Sequence, residues 1–426
     1  MKDKMLRKNF MWNMIGSTFA SFISLFFMII VTRINGIYDA GLFTFAFSTA
    51  CLFYIIGIYS GRTFQVTDDS KEATNSNYFY SKILTCFVML IVSIFFCIIK
   101  KYNMEKSLII FSLVIFKCLE AFSECVYAII QKEDKLYQVG ISLFIKAIFG
   151  VIFFYIIDIL TRNILISIFS IILINMLIII FYDFKNLKNI SFKLKKIDKN
   201  TIRSIKKILI SGLYAFLYAF LTQYVINSPR YAIDSLLTNE IQTLYGILIM
   251  PSTIVVLLGQ FIIHPFLLKL KELLNSKNDF LKLTIKLLLV IICLGFIILF
   301  FAYFIGIPIL EILYNIDLSE YLFEFIIIIV GAVIYGLTII LSTSLTTMRS
   351  TLSQLIAFLI VSLFCLIFSN ILVSKYELFG ASLTYFLSML LLLVIYIVIF
   401  IAVYRNYGGT FNEKRFKKSN NNFTNL

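Results

Sequence analysis

The chain has 426 residues, of which 60% are hydrophobic, and its mean hydropathy is +0.95. Soluble globular domains contain about 45–50% apolar residues, so a water-soluble core cannot accommodate this excess, and we expect it to face lipid. The net charge of +15 would suggest a nucleic-acid partner in a soluble protein, but most of it lies in polar segments on one side of the predicted membrane spans, so we expect no nucleic-acid binding.

Apolar runs of roughly 20 residues, each long enough to cross a ~30 Å hydrocarbon core as a helix, recur along the chain. They predict an all-α polytopic membrane protein. The first run follows basic residues, as in a signal peptide, but it is long and lacks a clear small-residue cleavage site, so we interpret it as a retained helix. The predicted spans are 10–32, 40–61, 81–99, 107–130, 138–157, 163–183, 208–228, 243–267, 282–306, 322–345, 352–373 and 379–404.

Lysine and arginine are distributed unevenly between the two sides of these spans. With the N-terminus placed inside the cell, 29 of the 38 Lys and Arg residues lie in cytoplasmic segments and seven in external ones. This is a strong positive-inside pattern, and it favours an even number of spans with both termini in the cytoplasm. The external segments are short, the longest being around 307–321, so we expect no catalytic domain outside the membrane.

The longest hydrophilic stretch, 185–207, divides the chain into two halves of six spans. We predict an N-terminal lobe at 1–200, including this basic cytoplasmic linker, and a C-terminal lobe at 201–426 with a disordered basic tail. A weak similarity between the beginnings of the halves favours duplicated bundles with a site between them. Apolar residues alternate with lysines in the linker, which suits a helix on anionic membrane lipids as well as a solvated connection.

Four charged residues lie in the interiors of predicted spans four and five. Lys117, Glu120 and Glu124 share one face of span four at spacings of three and four, and Lys146 lies near the middle of span five. An ionised side chain at mid-bilayer costs at least ~2.5–3.5 kcal/mol, so this face must point at protein or water. One interpretation is a buried ion-pair cluster, Glu124 or Glu120 with Lys146, that docks the two helices. The other is the wall of a polar cavity that relays protons or cations.

Three arginines are candidates for binding phosphate, because a guanidinium presents a planar fork of donors to phosphate oxygens. Arg33 and Arg62 flank the first pair of helices, and Arg230 ends span seven. Interfacial arginines that set topology are the alternative interpretation. Arg230 is the strongest candidate, because the preceding Asn-Ser-Pro is expected to fray the helix and free backbone groups, and Asp234 is expected to orient it.

Two amides on span seven are candidates for contacting sugar. Gln223 and Asn227 share a face at a spacing of four, and tyrosines lie nearby. Amides and tyrosines at helical spacing suit sugar hydroxyls, although tyrosine belts at the membrane interface are the commoner explanation.

Other chemistry has little support in the sequence. There is no GxxxxGK[ST] phosphate loop and no GxSxG nucleophile elbow, and a single histidine without a CxxC pair indicates no metal site. The seven cysteines fall inside predicted spans and are expected to be apolar fillers without disulfides. We therefore expect no catalytic residue, cofactor or metal, and a transporter rather than an enzyme.

Several short motifs carry a family resemblance. In the first half they are RKNFMWNMIGS at 7–17, IVTRING at 30–36, AGLF at 40–43 and GRTFQVTD at 61–68. In the second half they are NSPRYAID at 227–234 and YGILIMP at 245–251. Together with the layout of the whole chain, they resemble bacterial oligosaccharide flippases for capsule and O-antigen export, in the multidrug/oligosaccharidyl-lipid/polysaccharide exporter superfamily.

The resemblance implies two six-helix lobes in a V around a central cavity, in the bacterial plasma membrane. The implied substrate is an oligosaccharide repeat unit of capsule, O-antigen or lipopolysaccharide, linked to undecaprenyl pyrophosphate and turned from the inner to the outer leaflet. Glycosyltransferases and a polysaccharide polymerase are the implied partners. Relatives hold the pyrophosphate with cationic cavity residues; Arg33, Arg62 and Arg230 stand at matching motif positions, whereas the charges of spans four and five match no motif.

The implied mechanism is alternating access, driven by a proton or sodium gradient or by the membrane potential. An ion-coupled multidrug or small-solute antiporter of the same fold is the alternative: a cation exporter needs an acidic cavity, whereas a pyrophosphate carrier needs a basic one. A membrane polymerase or glycosyltransferase is a distant third, because such enzymes generally need a sizeable external loop with catalytic residues.

Overall fold

The computed structural model describes residues 2–406, apart from 60, 69–73, 189, 191, 193 and 195. Over this part of the chain all the regular structure is helical. The predicted basic tail, from 407 onward, and part of the predicted linker lie outside the described residues.

Fifteen α-helices follow one another within the described residues. They are α1 (Lys2–Asn35), α2 (Ile37–Ile58), α3 (Gly61–Thr67), α4 (Asn75–Lys100), α5 (Met104–Lys132), α6 (Leu136–Thr161), α7 (Ile164–Ile178), α8 (Phe184–Lys188), α9 (Lys199–Leu236), α10 (Asn239–Ile263), α11 (Leu267–Glu272), α12 (Lys277–Phe301), α13 (Ile307–Tyr314), α14 (Leu322–Thr347) and α15 (Thr351–Asn406). π-Helical turns join α7 to α8 (Ile179–Asp183) and α12 to α13 (Ala302–Gly306).

Ten helical segments in the described part of the chain are long and apolar enough to cross a membrane by length and composition. The predicted fourth span is not among them; it is α5, whose 29 residues carry the three charges noted above. α15 contains the last two predicted spans. The backbone of Glu377 is non-helical (φ 48°, ψ −124°) and separates one span from the other. The predicted all-α polytopic membrane fold is confirmed.

The predicted external loop at 307–321 is wrong in its first half. α12 continues through the π-helical turn Ala302–Gly306 into α13, which ends at Tyr314. Pro308 stands in the first turn of α13, where its missing N–H removes no helical hydrogen bond and its fixed φ suits the helix. The proline therefore starts a helix here instead of marking a loop.

The helices pack into two bundles. In the first half α1 packs along α6, and α2 packs against α5; in the second half α9 packs along α15, and α14 packs against α10 and α15. The bundles meet where α2 contacts α9 and α10. The predicted boundary at 200/201 falls just inside α9, which begins at Lys199, and the division into two folding units stays a prediction.

The contact between α1 and α6 depends on two glycines. A Cβ atom at Gly16 would lie 2.1 Å from the carbonyl oxygen of Gly140, and a Cβ atom at Gly140 would lie 2.1 Å from the carbonyl oxygen of Trp12. Both obstacles are backbone atoms, which cannot rotate away as a side chain can. Any larger residue at either position must push the two helices apart.

Gly140→Ala is therefore expected to destabilise the protein by at least the ~1–3 kcal/mol that overpacking costs in general. The measurement is the fraction of detergent-solubilised protein that stays monodisperse after heating. Gly150→Ala on the same helix is the control, because its Cβ atom would meet only the Cδ1 atom of Ile23 at 3.8 Å. Equal losses in the two variants would contradict the explanation.

Candidate functional site

Two of the polar cavities among the membrane-spanning helices are lined by residues that the sequence singled out. The first, which we call the N-lobe cavity, has a volume of about 290 Å³ and is enclosed by α1, α2, α3, α5, α6 and α7. The second, which we call the interface cavity, has a volume of about 330 Å³ and lies between α1 and α2 on one side and α9, α10, α14 and α15 on the other.

The charged face of α5 lines the N-lobe cavity. Lys117, Glu120 and Glu124 all border it, and Lys146 of α6 faces them across it. The Lys117 ammonium donates a hydrogen bond to Glu120 Oε2 at 2.7 Å. This ammonium also lies 4.7 Å above the ring of Phe47. The face thus points at a polar cavity inside the protein and away from lipid.

Lys146 has a different partner from the one predicted. Its ammonium donates to Asp183 Oδ2 at 2.7 Å, and also to Ser123 Oγ and Tyr127 OH at 2.8 Å each. The predicted pair with Glu124 or Glu120 is wrong, because the π-helical turn after α7 brings Asp183 to Lys146. Asp183 stood at the last residue of a predicted span, where an acidic residue looks interfacial, and the sequence reasoning missed it.

Arg62 lies beside Glu124 at the wall of the N-lobe cavity. Its Nε atom is 3.7 Å from Glu124 Oε2, and the two side chains are about a quarter exposed, 26% and 23%. The Nη1 atom of Arg62 is buried without a hydrogen-bond partner among the described residues. Since a buried guanidinium donor is costly to leave unpaired, this atom is available to an acceptor that enters the cavity.

Three residues of α9 present polar groups to the interface cavity: Gln223, Asn227 and Arg230. Arg230 Nη1 donates to Asn227 Oδ1 at 2.8 Å, and Asn227 Nδ2 donates to the carbonyl oxygen of Gln223 at 2.9 Å. Arg230 Nε is buried and unpaired among the described residues. Hydroxyls surround this group, contributed by Ser24, Thr44, Ser48, Thr253, Tyr335 and Tyr385.

The predicted fraying of the helix before Arg230 is wrong. α9 continues through Pro229 to Leu236. A proline removes the hydrogen bond to the carbonyl four residues earlier, which here is that of Val225. The Ser228 hydroxyl donates to this same carbonyl oxygen at 3.0 Å, so the helix tolerates the proline and holds Arg230 on a rigid element.

Asp234 does not orient Arg230, and this prediction is also wrong. Its carboxylate forms an ion pair with Lys106 and accepts a hydrogen bond from Tyr102 OH at 2.5 Å. Lys106 lies in the first turn of α5 and Tyr102 two residues before that helix, so both reach Asp234 from the other bundle. The sequence treated Lys106 as a loop residue and gave no sign of this contact.

Arg33 lines neither of the two polar cavities. Its guanidinium donates to the carbonyl oxygen of Leu313, with Nε 2.7 Å away, and to that of Ile312. These carbonyls belong to the last turn of α13, which leaves them without helical partners. The structure therefore separates Arg33 from Arg62 and Arg230, and a role of Arg33 in binding phosphate stays a prediction.

Hydrogen bonds and an ion pair join the two bundles at the end where α1 ends and α2 begins. This end is external in the predicted topology. Besides the contacts of Arg33 and Asp234, Thr243 donates to the carbonyl oxygen of Ile37. A Cβ atom on Gly41 would lie 1.9 Å from the carbonyl oxygen of Asn239. In this structure the two bundles are therefore closed against each other at this end.

Asp234→Asn is expected to loosen this closure, because it removes the charge that Lys106 binds. Cys51 lines the interface cavity and serves as the reporter in a variant without the other cysteines. We expect a membrane-impermeant maleimide, added outside, to label Cys51 faster in Asp234→Asn. Glu105→Gln, an exposed acid in the first turn of α5, is the control, and equal rates would argue against the closure.

Comparison with known proteins gives one sequence relative and a consistent fold. The chain is 27% identical over 401 residues to the capsular polysaccharide biosynthesis protein CapF of Staphylococcus aureus. The aligned region covers 91% of this chain and 98% of that protein. No protein-family model matches.

Two solved structures illustrate the likeness of fold. An inward-facing multidrug resistance transporter of the MATE family, in the MOP superfamily, superposes with a TM-score of 0.66 at 11% identity, covering 92% of this chain and 99% of that one. The lipid II flippase MurJ, in an inward closed conformation, superposes with a TM-score of 0.53 at 16% identity, covering 92% and 90%. The chain therefore has the fold of the multidrug/oligosaccharidyl-lipid/polysaccharide exporter superfamily, and the resemblance predicted from its motifs is confirmed.

Proposed function

We propose that this protein is a flippase that turns undecaprenyl-pyrophosphate-linked oligosaccharide repeat units from the inner to the outer leaflet by alternating access, for surface polysaccharide biosynthesis. The observation that carries the proposal is the guanidinium of Arg230, placed in a polar cavity between the bundles with a buried, unpaired donor. Such a group is suited to bind phosphate oxygens.

The two polar cavities adjoin and together suit a sugar-pyrophosphate head. Phe47, which lines the interface cavity, lies under the ammonium of Lys117 in the N-lobe cavity. Ser17 and Ser21 line the first cavity and Ser24 lines the second, so one face of α1 connects them with hydroxyls. Their volumes fall within or near the ~300–1,000 Å³ range of pockets for small ligands.

An apolar cavity of about 340 Å³ lies beside the interface cavity and suits the prenyl chain. It is enclosed by α10, α12, α13 and α14, with Leu25 of α1 at its edge, and its lining is almost entirely hydrocarbon. Met250 lines both this cavity and the interface cavity. A lipid-linked substrate has this same division, with a polar head joined to an apolar tail.

The charges of the cavities favour an anion over a cation. In the N-lobe cavity each cation has a carboxylate beside it, whereas the charged group of the interface cavity is Arg230 alone among the described lining residues. The net charge of the two cavities is thus positive, although it is smaller than the positive charge that we expected from the sequence. An exporter of cations would need the opposite excess, so the antiporter is less well supported.

Location and partners follow from the same proposal. The protein would lie in a bacterial plasma membrane with both termini in the cytoplasm, receive its substrate from glycosyltransferases and supply a polymerase. Anionic lipids would contact its basic cytoplasmic segments. An enzyme is not favoured, since within the described residues no external segment is large enough for a catalytic domain.

Deletion of the gene in its native host tests the proposal. We expect surface polysaccharide to disappear and lipid-linked repeat units to accumulate in the inner leaflet, with both effects reversed by the wild-type gene. Surface polymer would be quantified by antibody or lectin binding, and lipid-linked oligosaccharide by extraction and mass spectrometry. Normal polymer together with increased drug sensitivity would instead support the antiporter.

A further inference from the structure

The charges of the N-lobe cavity are balanced before any substrate enters. Each cation there faces one carboxylate, in the pairs Lys117–Glu120, Lys146–Asp183 and Arg62–Glu124. Arg230 adds one positive charge from the interface cavity. A pyrophosphate diester carries two negative charges, so its arrival leaves one negative charge in excess. Unbalanced charge is costly in a site shielded from water.

The three carboxylates are held with different strength. Glu120 accepts a hydrogen bond from Lys117 at 2.7 Å, and Asp183 accepts hydrogen bonds from Lys146 and Ser142 at 2.7 Å each. Glu124, by contrast, is held by Arg62 across 3.7 Å, which is too long for a hydrogen bond. Of these three acids in the described cavity wall, Glu124 is therefore the most readily displaced from its cation.

We propose that Glu124 binds a proton when the pyrophosphate binds, and releases it when the pyrophosphate leaves; this rests on the proposed function. Phosphate oxygens replace Glu124 at the guanidinium of Arg62, which has a free Nη1 donor for them. A carboxylate that has lost its cation in a poorly hydrated site favours the protonated form. The proton comes from water on the open side and is carried on a carboxyl oxygen of Glu124.

Among the described residues, no neighbouring cation can take the place of Arg62. The titratable groups that face Glu124 are Tyr54 on α2, Arg62 on α3, Lys82 on α4, Glu120, Cys125 and Tyr127 on α5, and Lys146 on α6. Lys82 donates to the carbonyl oxygens of Gly57 and Ile58 at 3.2 and 2.6 Å, at the negative end of α2. Lys146 is held by Asp183.

The diester brings two negative charges and the proton one positive charge. The loaded protein therefore carries one negative charge more than the empty protein. An inside-negative membrane potential favours the outward movement of that charge. Proton binding by Glu124 is thus compatible with transport driven by the membrane potential, and it lowers the cost of burying the head group.

Calorimetry with a pyrophosphate diester tests the proposal. The full-length protein in detergent is titrated with dimethyl pyrophosphate, whose phosphates have no proton to exchange near neutral pH, in two buffers of different ionisation enthalpy. We expect the wild type to take up roughly one proton per diester, since a single carboxylate titrates. Glu124→Gln should bind the diester without proton uptake, and Glu133→Gln, an exposed acid at the end of α5, should behave as the wild type.

The outcomes separate this proposal from the proposed function. Binding without proton uptake in the wild type, or equal uptake in Glu124→Gln, overturns the role of Glu124 and leaves the phosphate site intact. Failure of the wild type to bind the diester overturns both. Where Glu124→Gln does not purify as a monodisperse protein, the absence of proton uptake in the wild type still overturns the proposal, because the diester itself contributes no protons.

Discussion

Replacing Arg230 by alanine is expected to abolish surface polysaccharide while the protein still inserts into the membrane. Among the described residues that line the N-lobe and interface cavities, Arg230 is the positive charge that no carboxylate neutralises. Hydrogen bonds to charged groups contribute ~1.5–3 kcal/mol each, so losing a guanidinium that binds the pyrophosphate should weaken substrate binding by at least tenfold. Surface polymer and the amount of protein in the membrane fraction are measured in the same cells.

Two further variants make this result specific. Arg230→Lys keeps the charge but not the planar fork of donors, so we expect partial activity. Arg203→Ala removes an exposed arginine from the beginning of the same helix and should leave polymer levels unchanged. Normal polymer in Arg230→Ala would remove Arg230 from the substrate site, and equal loss in Arg203→Ala would indicate a general defect of α9.

Most of the fold was predictable because the bilayer imposes it. Lipid offers no hydrogen bonds, so a crossing must be a helix or a strand of a closed barrel. The apolar runs of about 20 residues indicate helices, and the lysine distribution indicates which segments connect them on each side. The errors occurred where a proline had two possible meanings. Pro229 continues α9 because Ser228 satisfies the freed carbonyl, and Pro308 starts α13; neither outcome can be seen without the neighbouring turn.

The candidate site was predictable only within single helices. A spacing of three or four residues places Lys117, Glu120 and Glu124 on one face, and the membrane cost directs that face inward. Which residue of another helix meets a charge depends on how the helices rotate against each other. The sequence therefore left Lys146 with the wrong partner and Asp183 unnoticed, and it assigned Asp234 to Arg230 instead of Lys106.

The pair between Lys146 and Asp183 is the most deeply buried ion pair among the described residues, with side chains 8% and 0% exposed. Tyr127 and Ser142 complete it: the Ser142 hydroxyl donates to Asp183 at 2.7 Å and lies 2.8 Å from the Tyr127 hydroxyl. All the polar atoms of this cluster have partners, so it can dock α6 to α7 without any role in transport. It also borders the N-lobe cavity, where a proton relay would have to lie.

Asp183→Leu is expected to destabilise the protein by ~3–5 kcal/mol, because it leaves the ammonium of Lys146 buried without a counter-charge. The double variant Lys146→Met with Asp183→Leu removes both charges and should recover most of that loss, since apolar replacement of a buried pair is often neutral. Unfolding midpoints of the purified variants in detergent provide the comparison. A single variant as stable as the wild type would show that Lys146 does not depend on Asp183.

The double variant also distinguishes docking from relay. If it is stable and restores surface polysaccharide to a deletion strain, the pair only holds the helices together. If it is stable but inactive, the ammonium and carboxylate take part in transport, because their packing role has been replaced. Stability and polymer levels measured on one variant therefore decide between the two interpretations that the sequence left open, which no single substitution at either position can do.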